Sequence, residues 1–142
     1  FLASPHVAQE MAWLEAEVTW SALDGEPPLA AEGGSLEAEE VPLVRFDGTD
    51  GALVIPAGGD PLRQHALAYA LHVEGAGPVR VSLAAREVGE WRPSASWEMP
   101  GAGTYLGFVA LEKKPRTIQA VRIALAGASA VAVYDLALLT FG

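Results

Sequence analysis

The sequence contains no cysteine and no asparagine, only two methionines, and few lysines among its nine basic residues. Without cysteine the chain can form no disulfide bond, thiolate nucleophile or cysteine-ligated metal site. Without asparagine it has no N-glycosylation sequon. Depletion of Asn, Cys and Met is a trend in proteins from hot environments, although a GC-rich genome gives a similar composition. We therefore expect a thermophilic source.

Basic residues are also scarce, and the formal net charge is −9. This charge argues against a nucleic-acid partner, which requires a basic face. Residues 1–60 carry 12 acidic residues and one basic residue, whereas residues 61–142 carry six acidic and eight basic residues. Two interpretations stay open: a solvated acidic face, or an acidic N-terminal region that docks on the more basic part of a neighbouring copy.

Long hydrophobic runs are absent as well. The most apolar stretch, Ala130 to Leu139, is interrupted by Asp135 and is too short to span a membrane. The start at Phe1 lacks the features of a signal peptide and has no initiator methionine. Either a segment was removed before Phe1, or the natural start is Met11. The length of 142 residues and the apolar fraction of 51% fit one domain with a packed core.

Helix signals are nearly missing, and apolar residues alternate with period two along most of the chain. One such run is Leu67 to Val73 and the next is Val79 to Ala85, and the Gly- and Pro-containing segment 74–78 between them predicts a hairpin. Turn signals recur at short intervals, which is typical of a sandwich or barrel. We predict an all-β protein, a β-sandwich or jelly-roll of about eight or nine strands.

The segment 24–35 contains Pro27-Pro28 and Gly33-Gly34, and the double proline excludes a helix or a central strand. It predicts a division into an N-terminal arm and connector, residues 1–35, and a β-sandwich domain, residues 36–142. The arm is expected to cross to another subunit.

No catalytic motif emerges. His65 and His72 are seven residues apart on one predicted strand, so they face opposite sides and cannot form a ligand pair there. The acidic residues lack any arrangement that singles out an acid–base pair. We predict that the protein is not an enzyme.

Two features are candidates for binding. Trp91, Trp97 and Tyr105 lie in and beside a loop-rich stretch, where aromatic rings either stack on a ligand or partner or pack the core. The last strand, Ala130 to Phe141, is apolar on both sides, which predicts either a central strand or a subunit contact. Asp135 within it would need a partner, either Arg122 or a bound cation.

The chain resembles the galactose-binding-like jelly rolls that include many carbohydrate-binding modules. The resemblance is carried by Leu36-Glu37-Ala38-Glu39 as an opening strand, by the segment with Tyr69 and His72, and by the ending Val131 to Leu138. It implies a structural calcium ion held by Glu37, Glu39 and Asp135. The chain departs from the family because it has no asparagine for sugar-binding loops and because some 35 residues precede the first strand.

The charge asymmetry, the proline-interrupted arm and the apolar last strand favour a structural or assembly module, such as a decoration or building-block subunit of a virion, surface layer or appendage. Its partners would be copies of itself in a homo-oligomer or another assembly protein, on a virion or an extracellular surface. The alternative is a carbohydrate-binding module. No cofactor other than the calcium ion is expected.

Overall fold

The computed structural model describes residues 17–22, 28–37, 40–48, 50–56, 64–87, 89–111 and 118–141. All regular structure within these residues is β-strand. The strands are β1 (Glu17–Ser21), β2 (Ala30–Glu32), β3 (Gly34–Glu37), β4 (Leu43–Phe46), β5 (Asp50–Ile55), β6 (Gln64–Glu74), β7 (Val79–Glu87), β8 (Glu90–Met99), β9 (Gly103–Ala110), β10 (Ala120–Ala126) and β11 (Ala130–Phe141). None of the described segments forms a helix long and apolar enough to cross a membrane.

The strands form two antiparallel sheets. Sheet A has the order β3-β4-β11-β6-β9, with β1 also paired to β11, and sheet B has the order β2-β5-β10-β7-β8. The all-β sandwich predicted from the sequence is confirmed. The described residues contain eleven strands rather than eight or nine, in part because β2 lies within the predicted connector and because the predicted opening strand at Leu36 is one half of the hairpin β3–β4.

The core lies between the sheets and follows from the period-two alternation. Strand β7 shows it most clearly, since buried and more exposed residues alternate along its whole length. Each sheet therefore has an apolar inner face. The largest fully buried side chains are Val44, Leu53, Ile55, Leu67, Leu71, Val73, Leu83, Met99, Ile123, Leu125, Leu136 and Leu138.

The predicted hairpin between β6 and β7 is wrong. Strand β6 pairs with β11 and β9 in sheet A, whereas β7 pairs with β10 and β8 in sheet B. The segment 75–78 therefore carries the chain from one sheet to the other. Apolar side chains on one side of each strand drive the two strands to face each other across the core rather than to lie side by side.

Strand β11 is central, as one of the two interpretations of its apolar sequence predicted. It pairs with β6 along one edge and with β4 and β1 along the other. Residue Tyr134 has no partner in the β6–β11 register, which passes from Val133↔Leu71 to Asp135↔Ala70. This β-bulge turns Asp135 outward, where it is exposed. An exposed carboxylate is solvated, so the expected need for a partner does not arise.

The boundary predicted after residue 35 also changes. Strand β1 pairs with β11 and β2 pairs with β5, and Trp20 and Leu29 are buried in the core. The described part of residues 17–35 therefore belongs to the sandwich, because its apolar side chains complete the core of the same chain. Residues 1–16 lie outside the described residues, and an intersubunit role for them stays a prediction.

Strands β4 and β5 approach each other closely where the Phe46 ring packs against Gly51. Gly51 lies beside the buried ring of Phe46, and a Cβ atom at position 51 would overlap atoms of that ring. The ring can occupy this part of the core only because residue 51 has no side chain.

Replacing Gly51 by alanine should therefore displace Phe46 and lower the free energy of unfolding by about 1–3 kcal/mol, the usual cost of overpacking a core. Urea denaturation followed by tryptophan fluorescence measures this change. The matched control is Gly48→Ala, since a Cβ atom at position 48 meets nothing within 4 Å. Equal stability of the two variants would contradict the packing of Phe46 described here.

Candidate functional site

The outer face of sheet B carries an open groove of about 550 Å³. This volume lies within the range of small-molecule sites in proteins. The groove lies over β8, β7 and β10. It is lined by Arg80, Ser82, Leu83, Ala84, Trp91, Pro93, Ser94, Ala95, Ser96, Arg122 and Ala124. We call it the sheet B groove.

The floor of the sheet B groove is low because outward positions on its two inner strands hold small side chains. Ser82 and Ala84 on β7 lie in register with Ala124 and Arg122 on β10. On the other side, Ser82 lies in register with Ser96 on β8. Four of these five residues are serine or alanine and form a flat strip, and bulkier side chains border it.

A β-bulge in β8 turns Trp91 toward the groove. The register between β7 and β8 passes from Leu83↔Ala95 to Ala84↔Pro93, so Ser94 has no partner. An extra residue reverses the alternation of side chains. As a result Trp91 lies on the outer face of sheet B, whereas Trp97 lies on its inner face.

Trp91 and Arg122 meet across β7. The guanidinium carbon of Arg122 lies 5.9 Å from the centroid of the Trp91 ring, within the range of a cation–π contact. The Nε atom of Arg122 is 2.9 Å from Oε1 of Glu32. This contact is an ion pair by distance, but the Nε–H group makes no hydrogen bond to a described residue. The two contacts hold the guanidinium between an aromatic ring and a carboxylate.

A second, smaller groove of about 290 Å³ continues from the first toward β5 and β2. Arg122 and Ala124 line both grooves. The acidic residues Glu32 and Asp50 line the second groove only. A trough therefore crosses sheet B, with Arg80 in the larger part, the carboxylates in the smaller part and Arg122 where the two parts join.

The predicted contact set Trp91, Trp97 and Tyr105 is divided by the structure. Trp91 lies in the sheet B groove, whereas Trp97 and Tyr105 are partly buried and pack against the core. The Tyr105 hydroxyl donates a hydrogen bond to the carbonyl oxygen of Gly101 at 2.6 Å. Ligand contact by Trp97 or Tyr105 stays a prediction.

Trp97 stacks on Tyr69 at the edge of the sandwich. Their ring centroids are 5.8 Å apart and the rings are nearly parallel, with an angle of 18°. A Cβ atom on Gly107 would overlap the Tyr69 ring, so the glycine makes room for it. Burial raises the pKa of the Tyr69 phenol, and the neighbouring Trp97 side chain opposes the rise. The indole Nε1 of Trp97 is buried without a hydrogen-bond partner among the described residues.

Glu37 and Asp135, two of the three predicted calcium ligands, both belong to sheet A, on β3 and β11. Glu37 is paired with Arg45, whose Nε atom donates to Oε1 of Glu37 at 3.1 Å. Asp135 is exposed at the bulge of β11, and Glu39 lies outside the described residues. No group of three metal-ligating side chains occurs in the part of the chain that the structure describes. Glu37 and Asp135, as placed, do not form the oxygen cage of six or more ligands that calcium requires, and calcium binding stays a prediction.

The suggested pairing of Asp135 with Arg122 is wrong. Arg122 lies on the outer face of sheet B, where it pairs with Glu32, and Asp135 lies on the outer face of sheet A. Consecutive strands β10 and β11 belong to different sheets, so their outward side chains point away from each other.

His65 and His72 face opposite sides of β6, as their odd spacing predicted. His65 is buried, and His72 is partly exposed with its Nδ1 atom 2.9 Å from the hydroxyl oxygen of Thr104. Neither histidine lines the sheet B groove.

No protein-family model matches the chain, and no curated protein matches its sequence. Solved structures match its fold. A structure described as carbohydrate binding module family 29 aligns with a TM-score of 0.63 at 14% identity, over 89% of this chain and 88% of that chain. A variant of a family 29 module complexed with mannohexaose gives the same score and identity, over 89% of this chain and 92% of that chain. A part of PfGH50B aligns with a TM-score of 0.53 at 14% identity, over 78% of this chain and 22% of that chain.

These matches confirm the resemblance to carbohydrate-binding-module-like jelly rolls at the level of the fold. Other structures in the same set are family 29 variants with a tyrosine, an arginine or a lysine replaced, described as probing ligand recognition. At 14% identity the likeness concerns the fold of this chain.

The raised pKa of Tyr69 predicts a pH dependence of stability. The unfolded chain releases the phenolic proton near the ordinary pKa of 10.0, and the folded chain holds it to higher pH. The contribution of the Tyr69 phenol to the free energy of unfolding is therefore constant below pH 10, and it is lost as pH rises through the pKa of this phenol in the folded state. Absorbance titration of wild type against Tyr69→Phe isolates this phenol and should give a midpoint above 10.0. A midpoint at or below that value would contradict the burial of Tyr69.

Proposed function

We propose that this chain is a non-catalytic carbohydrate-binding module that holds a stretch of polysaccharide in the sheet B groove. The observation that carries the proposal is the indole ring of Trp91, turned outward by the bulge at Ser94 beside the arginine-rich part of an open groove. The fold likeness to carbohydrate-binding modules supports it.

The groove offers both kinds of contact that a sugar needs. A sugar ring has apolar C–H faces that pack on a flat aromatic side chain, and Trp91 presents such a surface. The sugar hydroxyls require hydrogen-bond partners. Hydroxyls of Ser82 and Ser96 and the guanidinium groups of Arg80 and Arg122 line the same groove.

The shape of the groove favours an extended ligand. It is open to solvent and continues over the smaller groove across β5 and β2. The small side chains of Ser82, Ala84 and Ala124 leave its floor unobstructed. A chain of sugars can therefore lie in the groove without a deep pocket that would require a chain end.

The lining of the sheet B groove supports binding rather than cleavage. Glycoside hydrolysis uses a pair of carboxylates on the two sides of the scissile bond. Among the described residues that line this groove, the ionisable side chains are arginines, and no aspartate or glutamate is included.

The assembly hypothesis drawn from the sequence is less well supported than the module hypothesis. The structural neighbours reported above are described as family 29 carbohydrate-binding modules or as PfGH50B, and none of these is described as a viral or surface-layer subunit. The apolar faces of β11 are explained by its central place in sheet A. Self-association, a thermophilic source and a virion or extracellular location stay predictions.

Affinity electrophoresis in gels that contain a soluble mannan, glucomannan, xylan, β-glucan or polygalacturonate tests the proposed function. At least one polysaccharide should retard the wild-type protein. Trp91→Ala should weaken its affinity at least tenfold, because truncating a buried aromatic contact costs about 1.4 kcal/mol or more.

The matched control is Tyr134→Ala, which removes an exposed aromatic ring from sheet A. It should bind as wild type does. If folded Trp91→Ala retains full affinity while wild type binds, the ligand lies elsewhere on the molecule. Absence of binding to the whole panel would refute the module function.

A further inference from the structure

The charge of the sheet B groove is opposite to the charge of the chain. The formal net charge of the chain is −9. The charged side chains that line the groove are Arg80 and Arg122. A third arginine, Arg86, lies in register with Trp91 on the same outer face. Three arginines therefore lie on the outer face of sheet B, at or beside the groove that Trp91 lines.

The two groove arginines are placed apart, one toward each end of the floor. Arg122 lies in register with Ala84, and Arg80 is four residues before Ala84 on β7. At about 3.3 Å per residue, the two positions are separated by about 13 Å along the strand. Ser82 and Ala124 lie between them. This spacing fits charges that repeat along an extended chain better than it fits one small anion.

Arg122 is preoriented for an anion. Its contact with Glu32 is made through Nε, and a guanidinium has four more N–H donors on its two terminal nitrogens. The guanidinium carbon also lies 5.9 Å from the centroid of the Trp91 ring, within the range of a cation–π contact. A planar guanidinium can donate two parallel hydrogen bonds to a carboxylate or sulfate.

The acidic neighbours do not cancel this preference. Glu32 and Arg122 have side-chain exposures of 51% and 39%, so water screens their attraction. Glu98 lies in register with Arg80 but does not line the groove. Both carboxylates are therefore beside the arginines rather than between the arginines and a ligand on the floor.

We infer that the sheet B groove selects an acidic polysaccharide, whose sugars carry repeated carboxylate or sulfate groups that pair with Arg80 and Arg122. The inference rests on the proposed function and names its ligand class. The oxyanions pair with the two arginines, while a sugar ring at the Arg122 end of the groove packs on Trp91, which lies in register with Arg86.

The direct test compares polysaccharides that differ only in charge. Isothermal titration at low ionic strength compares polygalacturonate with its methyl-esterified form, and dextran sulfate with dextran. At least one charged polymer should bind at least tenfold more tightly than its neutral counterpart. The difference should shrink as NaCl is raised, because salt screens exposed charges. The first pair reports carboxylate recognition and the second reports sulfate recognition.

Variants connect the preference to the groove. Arg80→Gln and Arg122→Gln should each lower the affinity for the charged polymer at least fivefold, and by a larger factor than the affinity for its neutral counterpart, because glutamine keeps a hydrogen-bond donor but loses the charge. The matched control Arg45→Gln removes the same charge from sheet A, on the β3–β4 hairpin, and should bind as wild type does. Equal losses in all three variants would mean a general charge effect and would overturn the inference.

The outcomes distinguish a failure of the acidic preference from a failure of the proposed module function. If methyl-esterified polygalacturonate, dextran or another neutral polysaccharide binds as tightly as the charged polymers and Trp91→Ala abolishes this binding, the acidic preference is refuted and the module function stands. If no polysaccharide of either kind binds, both are refuted.

Discussion

A single β-bulge in β8 decides which aromatic side chain meets solvent and which meets the core. In a regular strand without a bulge, two residues six positions apart, such as Trp91 and Trp97, would lie on the same face. With it, Trp97 fills the edge of the core against Tyr69, and Trp91 reaches the outer face of sheet B. Because of the bulge, one strand supplies both a core side chain and a groove side chain. Trp97 packs against the core, and Trp91 lines the groove.

The groove depends equally on long-range pairing. Arg122 is far from Trp91 in sequence, and the two meet because β10 and β8 both pair with β7. The small side chains on β7 and β10 leave the space between them open. Charges that look scattered along the sequence are consequently sorted by the fold, with Arg80, Arg86 and Arg122 on one face of one sheet.

The fold class could be predicted from the sequence because the period-two alternation in β6, β7 and β10 is local. The connections could not, because the turn at 75–78 has the same composition whether the next strand pairs with β6 or crosses to the other sheet. The candidate site was found only in part. Trp91 was singled out as an aromatic residue, but a bulge leaves no distinctive sequence signal, so its separation from Trp97 was not predictable. Arg80 was not singled out, and Arg122 was considered only as a partner for Asp135, because their roles arise from the register between strands.

The central claim is that a glycan occupies the outer face of sheet B at Trp91. The most direct measurement is a nuclear magnetic resonance titration of ¹⁵N-labelled protein with an oligosaccharide prepared from a polysaccharide that the protein binds. The groove predicts shifts of the Trp91 indole signal and of amides in β7, β8 and β10, with the indole signals of the core residues Trp20 and Trp97 nearly unchanged. Shifts concentrated on the outer face of sheet A, with the Trp91 signal unmoved, would contradict it.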